Sequence, residues 1–554
     1  MCPIYQRIDG VAYATNEQSK AYSASGSWVD YTAGDLVRRA ASRYGERSAL
    51  VSDERRICFR ELDERTERIA AGLLRIGLCP GDRALFQLGT TIETVEALIA
   101  CFKAGIVPVC SVPQYRGVEM GQLAELSHAV AHFVQADFSA FDLVAFARQL
   151  AEKHPALRHR IVVRGGTSAQ GTVFEEIGRG ISLARARELL TAVRIGSEDV
   201  LEFQLSGGTT GLPKIIPRYH AEYIGYAASV ARVYGYAVSG SSIWNLPLVH
   251  NAAHLNVLLP AFLFGRTIYL QPRVDIPAFC ECIERNKITH AVSIGPVAPQ
   301  LLTYSDLRRH DLSSLDIFVT MNRADILEEA LGVPAANLYG ITEGVILGSS
   351  SGDPREARHG TNGTSGCPDD EMRILDVDSE KEMPLGESGE LCFRGPSSLR
   401  GYFGNEAATR EAMTSQGFFR SADMMTARRI NGVTYYRLEG RLRDNINRGG
   451  EKIGCEEVEL FVSRHPAIAD AKLVPMPDEF YGEKACAFIV LRPGHKAPVV
   501  TDLVEFLVGQ GLAKFKCPER IEVVTNFPVT GVGKVDKLAM KRWLAEQRAS
   551  PTGS

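Results

Sequence analysis

No uncharged apolar run in these 554 residues reaches membrane-spanning length; Leu255–Phe264 is far too short. An excess of one charge is also missing. The chain has 62 Lys and Arg against 66 Asp and Glu, a net charge of −4. No general attraction to polyanions follows, which argues against nucleic acid or a membrane as main partner. The opening residues, Met1-Cys2-Pro3-Ile4-Tyr5-Gln6-Arg7, show no basic stretch leading into an apolar core, so a cytoplasmic location is expected. The 12 cysteines include no Cys-x-x-Cys and no Cys/His ligand grouping; only Cys280 and Cys282 are close. They read as small core residues of a reducing compartment, and no structural zinc is expected. Repeats and low-complexity segments are absent too.

What is present is a well-cored chain, 45% hydrophobic and 23% charged, long enough for at least two domains. The first ~200 residues alternate between helical and strand periods. Leu36, Val37, Ala40 and Tyr44 share one helical face, and Ser48–Val51 reads as a strand. Leu62, Ile69, Leu73 and Ile76 form a second apolar stripe that Gly77 can end. Ala84–Leu88 and Ile106–Cys110 are strand-like around a helical Ile92–Ala104. This succession implies parallel sheet covered by helices, and it recurs from Val200 to about Gly340. Past Gly366 short strands follow at Glu371–Leu375, Gly389–Arg394 and Val433–Leu438. The charged, glycine-punctuated passage Gly440–Lys452 is hard to bury and reads as a hinge or functional loop. Beyond it Glu456–Arg464 and Val500–Gln510 look helical, Ala471–Val474 and Ala485–Leu491 strand-like, and Ala549–Ser554 a frayed tail. The expected fold class is α/β. Residues 1–442 form a large N-terminal domain of parallel sheets and helices with a β-rich subdomain at about 366–442, and 443–554 form a small α+β domain.

Leu205-Ser206-Gly207-Gly208-Thr209-Thr210-Gly211-Leu212-Pro213-Lys214 is the most informative stretch. Three glycines let the backbone turn sharply and approach a ligand closely. Hydroxyls of Ser206, Thr209 and Thr210 and successive N–H groups suit an anion, and Lys214 adds a point charge. It is not a Walker loop, because Leu212 and Pro213 separate the last glycine from the lysine.

Four further motifs follow in order: Tyr339-Gly340-Ile341-Thr342-Glu343, Asp423 after Gly417-Phe418-Phe419-Arg420, Arg441, and Thr530-Gly531-Val532-Gly533-Lys534. Together with the loop, this set resembles the adenylate-forming superfamily of acyl-CoA synthetases, peptide-synthetase adenylation domains and luciferases, over nearly the whole chain. Lys214-Ile215-Ile216-Pro217-Arg218-Tyr219-His220, Leu246-Pro247-Leu248-Val249-His250-Asn251 and Asp444–Lys452 look like the aryl-acid branch of 2,3-dihydroxybenzoate and salicylate ligases.

The resemblance implies roles. In such enzymes a carboxylate attacks the α-phosphorus of ATP, and two anions must meet with cations and oriented donors between them. Lys534 would bridge carboxylate and α-phosphate, Glu343 would hold Mg²⁺, and Thr342 would bond a phosphate. Asp423 and Arg441 would take the ribose hydroxyls, with Tyr339 and Gly340 at the adenine. His250 would close the acyl pocket, Asn251 would face an ortho substituent, and Ala252, Gly295, Met321, Asn322 and Val345 would line it. The C-terminal domain would then swing about Arg443, bringing Arg448, Gly449 and Gly450 to a pantetheine thiol. The expected activity is an acid–CoA ligase acting on an aromatic or bulky cyclic acid of secondary metabolism. Loading a separate carrier protein, with no carrier-type serine motif in this chain, and a catalytically retired nucleotide binder are the alternatives.

Three departures from the family pattern stand out. Asn322-Arg323-Ala324 replaces the usual Gly-Gly-Ala, Ser421-Ala422-Asp423 replaces Thr-Gly-Asp, and Ala252-Ala253 stands where dihydroxybenzoate ligases carry an aromatic. The last implies a wider acyl site, partly refilled by Met321. The first two, near the nucleotide, imply adenylation weaker than thioester formation, with the adenylate then supplied by a partner enzyme.

Overall fold

The computed structural model describes residues 7–165, 170–206, 213–294, 297–321, 323–442, 445–492, 494–528 and 535–549. Two seven-stranded sheets dominate. One runs in the order 172–173, 159–163, 131–135, 83–87, 107–109, 200–205, 215–219. It is parallel except for the last pair, where Val200–Leu205 and Ile215–Tyr219 are antiparallel. The second runs 335–337, 317–320, 290–293, 241–244, 267–270, 48–51, 56–58, and only its terminal hairpin is antiparallel. The α/β class follows directly.

The helices are set by local chemistry. Thr32 accepts from the Asp35 N–H and Asp35 accepts from the Thr32 N–H, a capping box opening Ala33–Tyr44. The expected stripe of Leu36, Val37, Ala40 and Tyr44 is its buried face. Ile92–Ala104 begins after a Thr91 cap and ends at Gly105, whose φ of +70° closes the last turn. These helices and Phe59–Arg75 share one core with residues of both sheets, including Phe86, Trp244 and Ile268.

A four-stranded antiparallel sheet, 371–375, 388–394, 419–430 and 433–441, forms the β-rich part. Its longest strand, Phe419–Ile430, is missing from the sequence reading. Arg420, Asp423, Arg428 and Arg429 break any apolar alternation there, and Ala422 sits at φ +57°. The C-terminal part pairs 451–454, 445–448, 482–491 and 468–478, with 520–523 added parallel to 482–491. The passage read as an unburied loop therefore holds a hairpin. Asn445–Arg448 and Glu451–Gly454 pair across Gly449 (φ +60°) and Gly450 (φ +94°). Two successive positive φ values give the tight turn that matches strand twist. Arg443 and the tail 550–554 lie outside the described residues.

The C-terminal part docks on the N-terminal end of helix Gly117–Ser127. Glu119 is buried; its Oε1 accepts from the Ala513 N–H and pairs with Lys516 Nζ, both at 3.2 Å. Phe515 stacks on Tyr115 with centroids 6.3 Å apart. Among the described residues, no helix is long and apolar enough to cross a membrane.

Candidate functional site

Gly207–Leu212, with Thr209 and Thr210, lie outside the described residues, but the base of their loop is defined. Ser206 is buried, and its N–H donates 3.0 Å to the Lys214 carbonyl, clasping the ends of two antiparallel strands. Lys214 Nζ stands 4.6 Å above the Tyr402 ring, and the Tyr402 hydroxyl donates 3.1 Å to Glu343 Oε1. The loop base, an aromatic ring and the candidate metal ligand thus form one file.

The turn carrying Thr342 and Glu343 is held from behind. The Thr342 carbonyl accepts from Arg218 Nη2 at 2.8 Å, that of Glu343 from the Leu399 N–H at 2.7 Å, and that of Gly344 from the Tyr226 hydroxyl at 2.6 Å. With three successive carbonyls engaged, the side chains of Thr342 and Glu343 are the groups left for a ligand. Glu343 Oε2 makes no hydrogen bond or ion pair among the described residues. A hard carboxylate oxygen fixed on one side and open on the other fits Mg²⁺. Arg218 is itself 1% exposed and also bonds Glu222 and the Ser397 carbonyl. Burial works against its charge, but Glu222 and neighbouring tyrosines outweigh that and hold its pKa above the ordinary value.

On the nucleotide side, the Tyr339 hydroxyl donates 2.8 Å to Asp423 Oδ2, and both residues are buried. Asp423 lies opposite Arg441 in the strand ladder; the Arg441 side chain is not among those described. A Cβ on Gly340 would stand 2.9 Å from Ile346 Cγ1, so only glycine fits. A cleft of about 960 Å³ takes in Thr320, Met321, Arg323, Asn337, His359 and Gly450. Asn322 lies outside the described residues, whereas Arg323 is exposed at φ +62°.

On the acyl side, His250 caps the short helix Asn251–Ala253, its Nδ1 accepting from the Ala252 N–H at 3.1 Å. The Tyr223 hydroxyl donates to Asn251 Oδ1, so the amide N–H₂ is the donor end of that side chain. Ala252 is buried, and its carbonyl accepts from Asn256 Nδ2 at 2.8 Å. The helix continues as a π-helical turn, His254–Leu258, the kind of irregularity found at functional sites. Val345 is buried in one apolar cluster with Tyr339, Ile341 and Leu391, apart from the cluster that holds Ala252 and Ala253. Gly295 lies outside the described residues.

Comparison with known proteins meets this geometry. Residues 37–403 match the AMP-binding enzyme family, and residues 457–534 match the AMP-binding enzyme C-terminal domain. The chain belongs to the AMP-binding enzyme family. It is an adenylate-forming ligase acting on ATP and a small carboxylic acid. The 2,3-dihydroxybenzoate-AMP ligase of Bacillus subtilis is 35% identical over 96% of this chain and 97% of its own. The salicyl-AMP ligase / salicyl-S-ArCP synthetase of Mycobacterium tuberculosis is 32% identical over 95% and 93%. The apo structure of MbtA from Mycobacterium smegmatis superposes with a TM-score of 0.72 at 31% identity, covering 96% and 98%.

In this AMP-binding enzyme the Gly449–Gly450 turn reaches the N-terminal sheet, since a Cβ on Gly450 would lie 3.0 Å from Ile294 Cγ2. Arg448 pairs with Glu519 at 2.8 Å, and its guanidinium lies 3.9 Å over Tyr481. That side chain braces its own hairpin, while Gly450 lines the cleft. Lys534 and Arg443 lie outside the described residues. Sequence reasoning gave no role to Tyr402 or Tyr223 and used Arg218 only as a motif letter. The one available signal was Arg218 and Glu222 four residues apart, an ion pair poised at the strand–helix junction.

Proposed function

We propose that this ligase converts an aromatic carboxylic acid to its acyl-adenylate and passes the acyl group to the phosphopantetheine thiol of a separate carrier protein. The observation that carries this reading is the link through Arg218, which bonds the Thr342 carbonyl beside Glu343 and lies 5.5 Å over the ring of Tyr223, whose hydroxyl holds Asn251. The names of the two relatives, a dihydroxybenzoate-AMP ligase and a salicyl-S-ArCP synthetase, support an aryl acid and a carrier acceptor over the CoA acceptor that the sequence reading placed first.

In the first step a carboxylate oxygen attacks the α-phosphorus and pyrophosphate leaves. Lys534 would neutralise the meeting oxygens, and Thr342 would donate to a phosphate. Mg²⁺ at Glu343 would offset the charge of the phosphates. Tyr339, held by Asp423, would present its ring to adenine, while Asp423 and Arg441 would take the ribose hydroxyls. With its Oδ1 taken by Tyr223, Asn251 offers a donor, so the acid should carry an acceptor ortho to its carboxylate, a hydroxyl oxygen or a ring nitrogen. In the second step the thiol sulfur attacks the acyl carbonyl and AMP leaves, with Gly449 and Gly450 shaping the approach.

Lys534→Ala tests the assignment. Pyrophosphate exchange should fall about a hundredfold, the loss of one oriented cationic donor, while thioester formation from supplied acyl-AMP should change little. Equal loss in both would refute the role. A CoA thioester formed faster than a holo-carrier thioester would restore the CoA ligase.

A further inference from the structure

Behind the acyl wall, side chains from three separate elements converge. Cys110 directly follows strand Val107–Val109, and its backbone N–H donates 2.9 Å to the Phe203 carbonyl. Glu202 is next to Phe203 on the neighbouring strand, so the sheet itself fixes the pair. His254 opens the π-helical turn. The cysteine sulfur, one carboxylate oxygen and one imidazole nitrogen all lie within 4.8 Å of one another, and all three residues are buried. Glu202 Oε2 stands 2.9 Å from His254 Nδ1. Yet that oxygen and both imidazole nitrogens lack a hydrogen-bond partner among the described residues, because the groups are not aligned for one. Buried polar atoms in a native core are nearly always satisfied, so three open atoms facing one another point to something held between them.

We propose that Cys110, Glu202 and His254 bind a zinc ion. Sulfur, nitrogen and oxygen form a borderline-soft donor set of the kind zinc takes, and three protein ligands leave one position for water. A thiolate and a carboxylate also balance the dipositive ion, so a neutral unit sits in the core; the thiol proton goes to solvent on binding. The outer support is present, since Gln204 Nε2 donates 2.7 Å to Glu202 Oε1 and fixes the carboxylate's orientation. The sequence reading expected no zinc because the three ligands are scattered along the chain. The ion's place suggests its use. His254 follows the wall residues His250–Ala253 immediately, and its ring centroid is 6.2 Å from that of Tyr223, whose hydroxyl holds Asn251. Zinc here braces the acyl wall.

The full chain, purified without chelator or metal-affinity steps, incubated with zinc sulfate and gel-filtered, should carry about one zinc per chain by mass spectrometry. X-ray absorption should show one sulfur neighbour at about 2.3 Å. Cys110→Ala and His254→Leu should each bring zinc below about a tenth per chain, while Cys280→Ala, a buried cysteine elsewhere, keeps it. A folded native chain holding less than about a tenth zinc after incubation overturns the proposal and leaves a bare Glu202–His254 pair. So does equal zinc loss in Cys280→Ala. If the ligand variants do not fold, native stoichiometry and the sulfur signal decide alone.

Discussion

The hydroxyl of Tyr339 is tied to Oδ2 of Asp423 at 2.8 Å, joining the turn of the candidate phosphate site to the β-rich sheet. This bond joins the ring proposed to face adenine to the carboxylate proposed to take the ribose hydroxyls. Tyr339→Phe should raise KM for ATP about tenfold in pyrophosphate exchange with kcat little altered, the effect of losing one hydrogen bond to a charged group. An unchanged KM would mean that Asp423 is oriented by other contacts.

Arg218→Met should be severely destabilising. It strips a donor from the Thr342 and Ser397 carbonyls and leaves Arg400, at 3.5 Å, as the only cation paired with buried Glu222 among the described residues. Breaking a buried pair on one side costs about 3–5 kcal/mol. Thermal melts should show a fall of several degrees that the double variant Arg218→Met/Glu222→Gln partly reverses. No reversal would place the loss in the carbonyl contacts instead.

Ala422 holds φ +57° where the family pattern has glycine, and its N–H bonds Glu390 Oε1 at 3.0 Å. Left-handed backbone disfavours an alanine by about 1 kcal/mol, so Ala422→Gly should stabilise the folded chain by that order. If this strain also displaces Asp423, pyrophosphate exchange in the same variant should rise relative to thioester formation from synthetic acyl-AMP. A fast, acid-dependent exchange in the native chain would dispose of the expected weak adenylation altogether.

Docking of the C-terminal part should depend on pH through Glu451. Burial pushes its carboxyl up from 4.5 to about 7, with Lys516 pulling the other way. To the extent that docking supplies this burial, the docked arrangement holds the proton more tightly than the released one. Its advantage is complete below the ordinary glutamate range and lost as pH rises through about 7. The ratio of thioester rates, native over Glu451→Gln, should fall between about pH 6 and pH 8. A flat ratio would remove Glu451 from the docking equilibrium.

Elements whose signals are local were legible in the sequence. Ile92–Ala104 was read to the residue because Thr91 and Gly105 mark its ends. Phe419–Ile430 was not, since its charges and its left-handed alanine hide the alternation. The site divides the same way. His250 and Asn251 are adjacent and carry a family pattern, whereas Arg218 reaches a partner 124 residues away, Tyr402 one 59 away and Tyr223 one 28 away. Such pairings are properties of the folded chain, which no window along the sequence contains.

The π-helical turn His254–Leu258 gives substrate choice a coarse adjustment of its own. Its looser winding absorbs an extra residue between the acyl wall and helix Leu259–Phe264. Removing one residue there would let the segment wind as ordinary α-helix, tightening the turn directly behind the wall while His250–Ala253 keep their facing and the sheets stay untouched. Chain length at this turn, as well as side-chain size at Ala252, is thus a dial by which descendants of this enzyme could change the acid they accept.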